Sequence, residues 1–205
     1  MSFAEAAAVP LGGLNAIHFL RKANIKKGEQ VLVNGAGGSI GLFAVQIAKV
    51  MGAEVTAVDG THKEGMLREI GADHFVDYTQ EDFTQGGHTY DVVFDMVTRS
   101  SYSRNIKVLK PEGRYLMGNP RMTGMLRSVL TSRLTDKTAT FAFAAEKEEE
   151  LLALKQIIED GAIRSVVDRV YPIDQAAEAH ARVETEQRRG SVVIALGDAH
   201  AASTS

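Results

Sequence analysis

Val31-Leu32-Val33-Asn34-Gly35-Ala36-Gly37-Gly38-Ser39-Ile40-Gly41 is the stretch on which the reading of this chain turns. A short apolar run predicts a buried strand, and a glycine-dense turn opens from it directly into the apolar helical run Leu42–Val50. A second, β-branched strand is expected over Glu54–Val58, and it ends on Asp59. That order suits a dinucleotide. The turn from Gly35 must be tight, the pyrophosphate must reach main-chain N–H groups past Gly38, and the helix must lie close to the strand at Gly41. Asp59 stands eighteen positions beyond Gly41, where a carboxylate accepts hydrogen bonds from an adenosine ribose. The glycines do not form an unbroken G-x-G-x-x-G; the nearest fit is Ala36-x-Gly38-x-x-Gly41. A glycine turn alone would serve equally as a strand-to-helix connection. Strand, turn, helix, strand and terminal acid together argue for a nucleotide.

Outward from this unit, strands and helices alternate to about residue 160, the pattern of an α/β doubly wound parallel sheet of about six strands. Residues 3–22 read as a helix interrupted near Pro10 and Gly12-Gly13. After Asp59, Thr61 is placed to cap a helix that Gly71 stops, followed by a short strand His74–Asp77 and a helical turn over 79–83. Tyr90–Val97 is apolar almost without break, as a strand covered on both faces should be. A helix over Ser100–Lys110 stopped by Pro111, a strand 113–118, a helix 122–134, a strand 137–143 and an amphipathic helix 146–160 complete the alternation. Beyond Gly161 the character changes: a strand over 165–171, an alanine-rich helix 173–186 and a strand 191–196 precede a small polar tail, 197–205, expected to be disordered.

The 205 residues are 44% hydrophobic and 24% charged, with a formal net charge of −3, so nothing in the balance calls for nucleic acid or an anionic membrane. No apolar run suggests a membrane span and no basic flank marks a signal peptide, which makes the cytoplasm the default expectation. The absence of cysteine excludes disulfides, thiolate nucleophiles and thiolate zinc sites. The six histidines are scattered, and His180 with Glu184 is the one four-residue spacing that could pair ligands, so no metal is expected. His18 reads as a packing residue of the first helix.

Several of these stretches together resemble the medium-chain dehydrogenase/reductase superfamily: Ala7-Ala8-Val9-Pro10-Leu11-Gly12-Gly13-Leu14-Asn15-Ala16, the turn Gly35–Gly41, Gln46-Ile47-Ala48-Lys49, Ile70-Gly71-Ala72-Asp73 and Arg189-Gly190-Ser191-Val192-Val193. The zinc-free quinone oxidoreductases are the most similar branch, and the resemblance extends from residue 3 to about 196. It implies a Rossmann fold, a nicotinamide cofactor and hydride transfer to a quinone, enone or carbonyl. It also implies that residues 1–28 are the linking helix from a substrate domain, 29–163 the dinucleotide-binding domain, and 164–196 the segment that returns to complete a barrel-like substrate domain. The chain then corresponds to a fragment, a truncated frame or a half that needs a partner, and catalytic groups from the substrate domain stay unnamed.

Carried over by position, the resemblance has Gly38, Ser39 and Ile40 offer amides to the pyrophosphate and Asp59 meet the ribose. Thr61 and Lys63 fall in the region that cradles a 2′-phosphate in members preferring NADP. Asp59 opposes that phosphate and Lys63 favours it, so the cofactor is NAD(P) with a lean to NAD. Tyr78 flanks the cofactor, and Val97, Thr98, Gly118 and Asn119 line the nicotinamide. Family members pair through their edge strands, so strand 137–143 is expected to make a homodimer. Three other readings stand beside this one. A cofactor-binding module would bind without turning over. A short-chain dehydrogenase needs a tyrosine four before a lysine, and Tyr102 with Lys107 has the wrong spacing. A methyltransferase usually carries an acid in its first strand, where Asn34 stands here.

Overall fold

The strand β1 (Gln30–Asn34) lies at the centre of a six-stranded parallel sheet. β2 (Glu54–Asp59) and β3 (His74–Asp77) extend it on one side, and β4 (Tyr90–Asp95), β5 (Leu109–Met117) and β6 (Thr138–Phe141) on the other, in the order 3-2-1-4-5-6. The computed structural model describes residues 1–141 and 147–197. Successive side chains of a strand point to opposite faces. Val31, Val33, Val55, Ala57, Val92 and Phe94 therefore enter one core, and Leu32, Val58, Val93, Tyr115 and Met117 enter the other. Burial on both faces accounts for the unbroken apolar runs of β1 and β4.

The first core is roofed by α1 (Phe3–Ala23), α2 (Ser39–Val50) and α6 (Glu148–Glu159). The second is covered in part by Tyr102 and Ile106 of α4 (Tyr102–Lys107). The short α3 (Glu64–Glu69) precedes β3, and α5 (Met122–Leu134) precedes β6. A C-terminal unit of β7 (Val167–Pro172), α7 (Ala176–Glu184) and β8 (Ser191–Ala195) forms its own two-stranded parallel sheet. Arg164 ties the approach to this unit to α2: its carbonyl accepts from Gln46 Nε2 at 3.0 Å, and its N–H donates to Gln46 Oε1 at 2.8 Å.

The structure corrects several expectations. α1 is one uninterrupted helix. It starts at a capping box, in which Ser2 Oγ accepts from the Glu5 N–H and the Glu5 carboxylate accepts from the Ser2 N–H. Pro10 is tolerated inside it because it is exposed, so water can reach the carbonyl that loses its partner. Gly12 is a packing device and no breaker: a Cβ there would overlap the Ser39 carbonyl oxygen and come within 2.9 Å of Phe43, so its absence lets α1 lie on the start of α2. By length and composition α1 also qualifies as a membrane-crossing helix, contrary to the sequence reading, yet one face of it is buried in the first core.

Pro111 does not stop a helix at Lys110. β5 begins at Leu109, and Pro111 with Glu112 (φ 58°) sits where the pairing slips between Tyr90↔Leu109 and Val92↔Arg114. A residue without an N–H is placed at such a bulge at no loss to the ladder. Residues 79–83 form turns without a helix, and Thr61 starts a short 3-10 turn capped by Gly60. The end of the expected strand at 142–143, the start of the expected helix at 146 and the tail from 198 lie outside the described residues.

Candidate functional site

A cleft of about 1190 Å³ opens along the C-terminal ends of the strands, where the sheet order reverses between β1 and β4. In doubly wound sheets this is where ligands bind. One wall is the turn from β1 into α2. The Gly35 and Ala36 N–H groups donate to the Val58 carbonyl at 3.0 and 3.1 Å, which pins the turn to the end of β2. A Cβ on Gly41 would press into the main-chain oxygens of Gly35 and Ala36, the latter at 2.6 Å, so α2 can follow the strand this closely only with glycine there. The first bond within α2 runs from the Leu42 N–H to the Gly38 carbonyl at 2.9 Å, and no side chain caps the helix. The amides of Ser39, Ile40 and Gly41 precede that bond and line the cleft. Aligned with the helix dipole, they form a site for an anion.

The wall on the β2 side is charged. Asp59 is buried, and its Oδ2 accepts from the Gly37 N–H at 2.7 Å while its Oδ1 accepts from the Gly60 N–H at 2.9 Å. Lys63 Nζ, also buried, stands 3.0 Å from Oδ1. The acid expected as a ribose acceptor is thus also the brace of the glycine turn, with one position, on Oδ2, still open on a carboxylate that accepts up to four bonds. From the C-terminal unit, Glu186 Oε2 reaches to 3.8 Å from the same Lys63 Nζ.

The far wall is a polar network that the sequence reading missed. Asp95, at the end of β4, accepts from Tyr115 Oη and Asn105 Nδ2 at 2.7 Å, from Asn34 Nδ2 at 2.9 Å and from the Val97 N–H at 3.0 Å. Asn105 Nδ2 donates also to Ser100 Oγ at 2.9 Å. Burial pushes the Asp95 carboxyl above the usual carboxylate range, against the pull of these donors. Burial, with the nearby Asp95 charge, likewise pushes the Tyr115 phenol up. Asn34, Ser100 and Asn105 line the cleft, so the network holds both the Val97 turn and the polar floor beside it. Asn119 Nδ2 donates to the Met96 carbonyl at 3.0 Å and fixes the loop after β5 against the loop after β4.

A profile of the zinc-binding dehydrogenase family matches residues 70–194. The chain belongs to this family, within the medium-chain dehydrogenase/reductase superfamily. Among curated relatives, it is 35% identical to a 2-methylene-furan-3-one reductase of Solanum lycopersicum over 95% of this chain and 47% of that protein. It is 33% identical to the chloroplastic NADPH-dependent alkenal/one oxidoreductase of Arabidopsis thaliana, with the same two coverages. Among solved structures, the quinone oxidoreductase of Coxiella burnetii superposes with a TM-score of 0.86 at 27% identity, covering 96% of this chain and 62% of that one. The chain thus spans about half the length of the curated relatives just named.

Of the residues singled out in this dehydrogenase/reductase chain, Gly35, Gly38, Ser39, Ile40 and Gly41 line the cleft. So do Asp59, Lys63, Tyr78, Val97 and Asn119. Thr61, Thr98 and Gly118 are not part of its walls: Thr61 Oγ1 bonds the Asp77 carboxylate, and the Gly118 N–H bonds the Asp95 carbonyl at 2.9 Å. The walls fit a dinucleotide. The amides before Leu42 are uncapped, and the nearest heavy atom to a Cβ built on Gly38 is 3.4 Å away, so the ground above the helix start is open. Zinc is not matched in the same way, since among the described residues no three His, Cys, Asp or Glu converge. The end of an apolar strand was a signal for Asp95, but its partners lie too far along the chain for any spacing rule to join them.

Proposed function

We propose that this chain is the cofactor-binding part of a zinc-free, NAD(P)H-dependent oxidoreductase that reduces quinones, enones or carbonyls. The observation that carries the reading is the uncapped start of α2 at Ser39–Gly41, opening into a cleft also walled by Asp59 and the loops that follow β4 and β5. A reduced nicotinamide, when bound, supplies the hydride to an electron-poor carbon. The residues of this chain bind and orient it. The amides of Ser39 and Ile40 neutralise the two central phosphates, and Asp59 accepts a ribose hydroxyl while bracing the Gly37 turn. Val97 and Asn119 form the edge against which the nicotinamide rests, with Asp95 holding the Val97 amide and Asn119 holding the Met96 carbonyl. Thr98 and Gly118 act through those loops, and Tyr78 flanks the β2 end of the cleft.

Zinc-free operation is supported by the lack of cysteine and of any ligand cluster among the described residues. Segment 164–196 is read as belonging to the substrate domain. Its small sheet, β7–β8, stands apart from the six-stranded one. Homodimer formation through β6 is supported by α5 beside it, which turns Met122, Leu126, Val129, Leu130 and Leu134 to solvent. Val97 and Tyr78 are 42% and 61% exposed, so the cleft of this chain by itself does not exclude water from the reacting carbon. Titration of the chain with NADH and NADPH by fluorescence, together with a quinone turnover assay, tests the reading. Saturable binding with poor turnover is expected. Turnover at rates typical of intact quinone reductases would overturn the assignment of the chain as the cofactor-binding part alone, and no binding at millimolar nucleotide would overturn the reading entirely.

A further inference from the structure

Lys63 lies between two carboxylates that come from different parts of the chain. Asp59 reaches it from the end of β2 at 3.0 Å, and Glu186 reaches it from beyond α7 at 3.8 Å. The second contact is built into the backbone. Glu186 has φ 56°, in the left-handed region that a residue with a side chain rarely adopts. Its N–H donates to the Val183 carbonyl at 3.1 Å, and its carbonyl accepts from His62 Nε2 at 3.0 Å, so the turn is anchored both to α7 and to the residue before Lys63. The approach to β8 is held as well: the Arg189 N–H donates to Asp168 Oδ1 at 2.9 Å, and Asp168 is gripped by Arg182 at 2.9 and 3.0 Å. Glu186 and Lys63 both line the cleft, as does Arg188, whose Nε is buried without a hydrogen-bond partner.

We propose that Glu186 is a specificity-determining residue that selects against a 2′-phosphate on the cofactor, so that the cleft takes NAD in preference to NADP. The inference rests on the nucleotide reading above and adds a residue to it from outside the dinucleotide-binding unit. Lys63 taken alone is a phosphate ligand. Any phosphate bonded to its Nζ, however, is brought within reach of two carboxylates already on that atom, and like charges at such distances repel. The hydroxyl of an unphosphorylated ribose carries no charge and donates to Asp59 without that repulsion. Arg188 lines the same cleft, and its charge favours the added phosphate and so works against Glu186; selection against a 2′-phosphate rests on Glu186 and Asp59 together.

The test is binding of NADH and NADPH to the wild-type chain and to Glu186→Gln, read as the ratio of the two dissociation constants. Glu186 has a side chain 67% exposed, so the substitution leaves the fold in place, and a thermal melt checks this. NADH is expected to bind the wild type more tightly, and Glu186→Gln to tighten NADPH about tenfold while NADH changes by less than about twofold, a difference equal to about 1.4 kcal/mol. Glu186→Lys should move the ratio further in the same direction. A wild type that prefers NADPH, or a ratio unchanged in both variants, overturns the role of Glu186 and leaves the nucleotide site standing. Failure of the wild type to bind either nucleotide overturns both.

Discussion

Replacing Gly38 by alanine should separate nucleotide binding from folding. Gly38 is the N-cap of α2 with φ −80° and ψ 166°, extended backbone that alanine adopts without strain. A Cβ built there meets nothing closer than the Gly35 carbonyl oxygen at 3.4 Å, an ordinary contact. Alanine is a poorer N-cap than glycine, which gives a loss of about 0.5–1 kcal/mol. At roughly 2–4 °C per kcal/mol for a domain of this size, the melting temperature should fall by no more than about 4 °C. The new methyl projects from the position that a pyrophosphate must pass to reach the Ser39 and Ile40 amides. Forcing an extra methyl into a filled site costs roughly 1–3 kcal/mol. That is a dissociation constant for NADH weaker by roughly five- to 150-fold. Calorimetric titration and a thermal melt on the same preparation read both quantities. Gly41→Ala is the contrast: its Cβ meets main-chain oxygen, so stability itself should fall by roughly 1–3 kcal/mol. Should Gly38→Ala bind NADH within about twofold of the wild type while retaining its stability, the start of α2 is not where the phosphates sit.

Asp95→Asn keeps the shape of the β4 terminus but puts an amide N–H₂ where the Tyr115, Asn105, Asn34 and Val97 donors converge. Leaving a buried donor unpaired costs roughly 1–3 kcal/mol, and chemical denaturation should show at least that loss. Asp168 titrates in the opposite sense to Asp95: the Arg182 guanidinium holds its carboxyl below the usual carboxylate range, with burial working against that pull. Its folded pKa is depressed, so its contribution is present above the unfolded-state value near 3.8 and is lost as pH falls through the lower folded value. Asp168→Asn should therefore lower the denaturation midpoint at neutral pH, and by progressively less as pH falls below the unfolded-state value near 3.8; a loss that does not shrink on acidification would refute the assignment. Leu126→Glu, at a side chain exposed on α5, should leave the melt within about 0.5 kcal/mol of the wild type and convert a dimer to a monomer by light scattering. A monomeric wild type would remove the interface.

The primary structure by itself determined the layered architecture and the place of the cleft. Both follow from local signals: alternating apolar runs, the glycines of 35–41 that only a tight strand-to-helix turn demands, and the acid that closes β2. His74–Asp77 and Met122–Leu134 were readable to the residue because their periodicity is undisturbed by anything distant. Pro111 was misread for the opposite reason: a helix stop and a bulge opposite Tyr90 look alike until the neighbouring strand is in place. Gly12 likewise reads as a breaker until α2 lies beneath it. Only the tertiary structure decided which charges share a wall. Asn34, Asp95, Ser100, Asn105 and Tyr115 come from separate elements, and Lys63 meets Glu186 across most of the chain. Hydrogen bonds and ion pairs act over a few ångströms of space whatever the separation in sequence, so no period or spacing could have announced them.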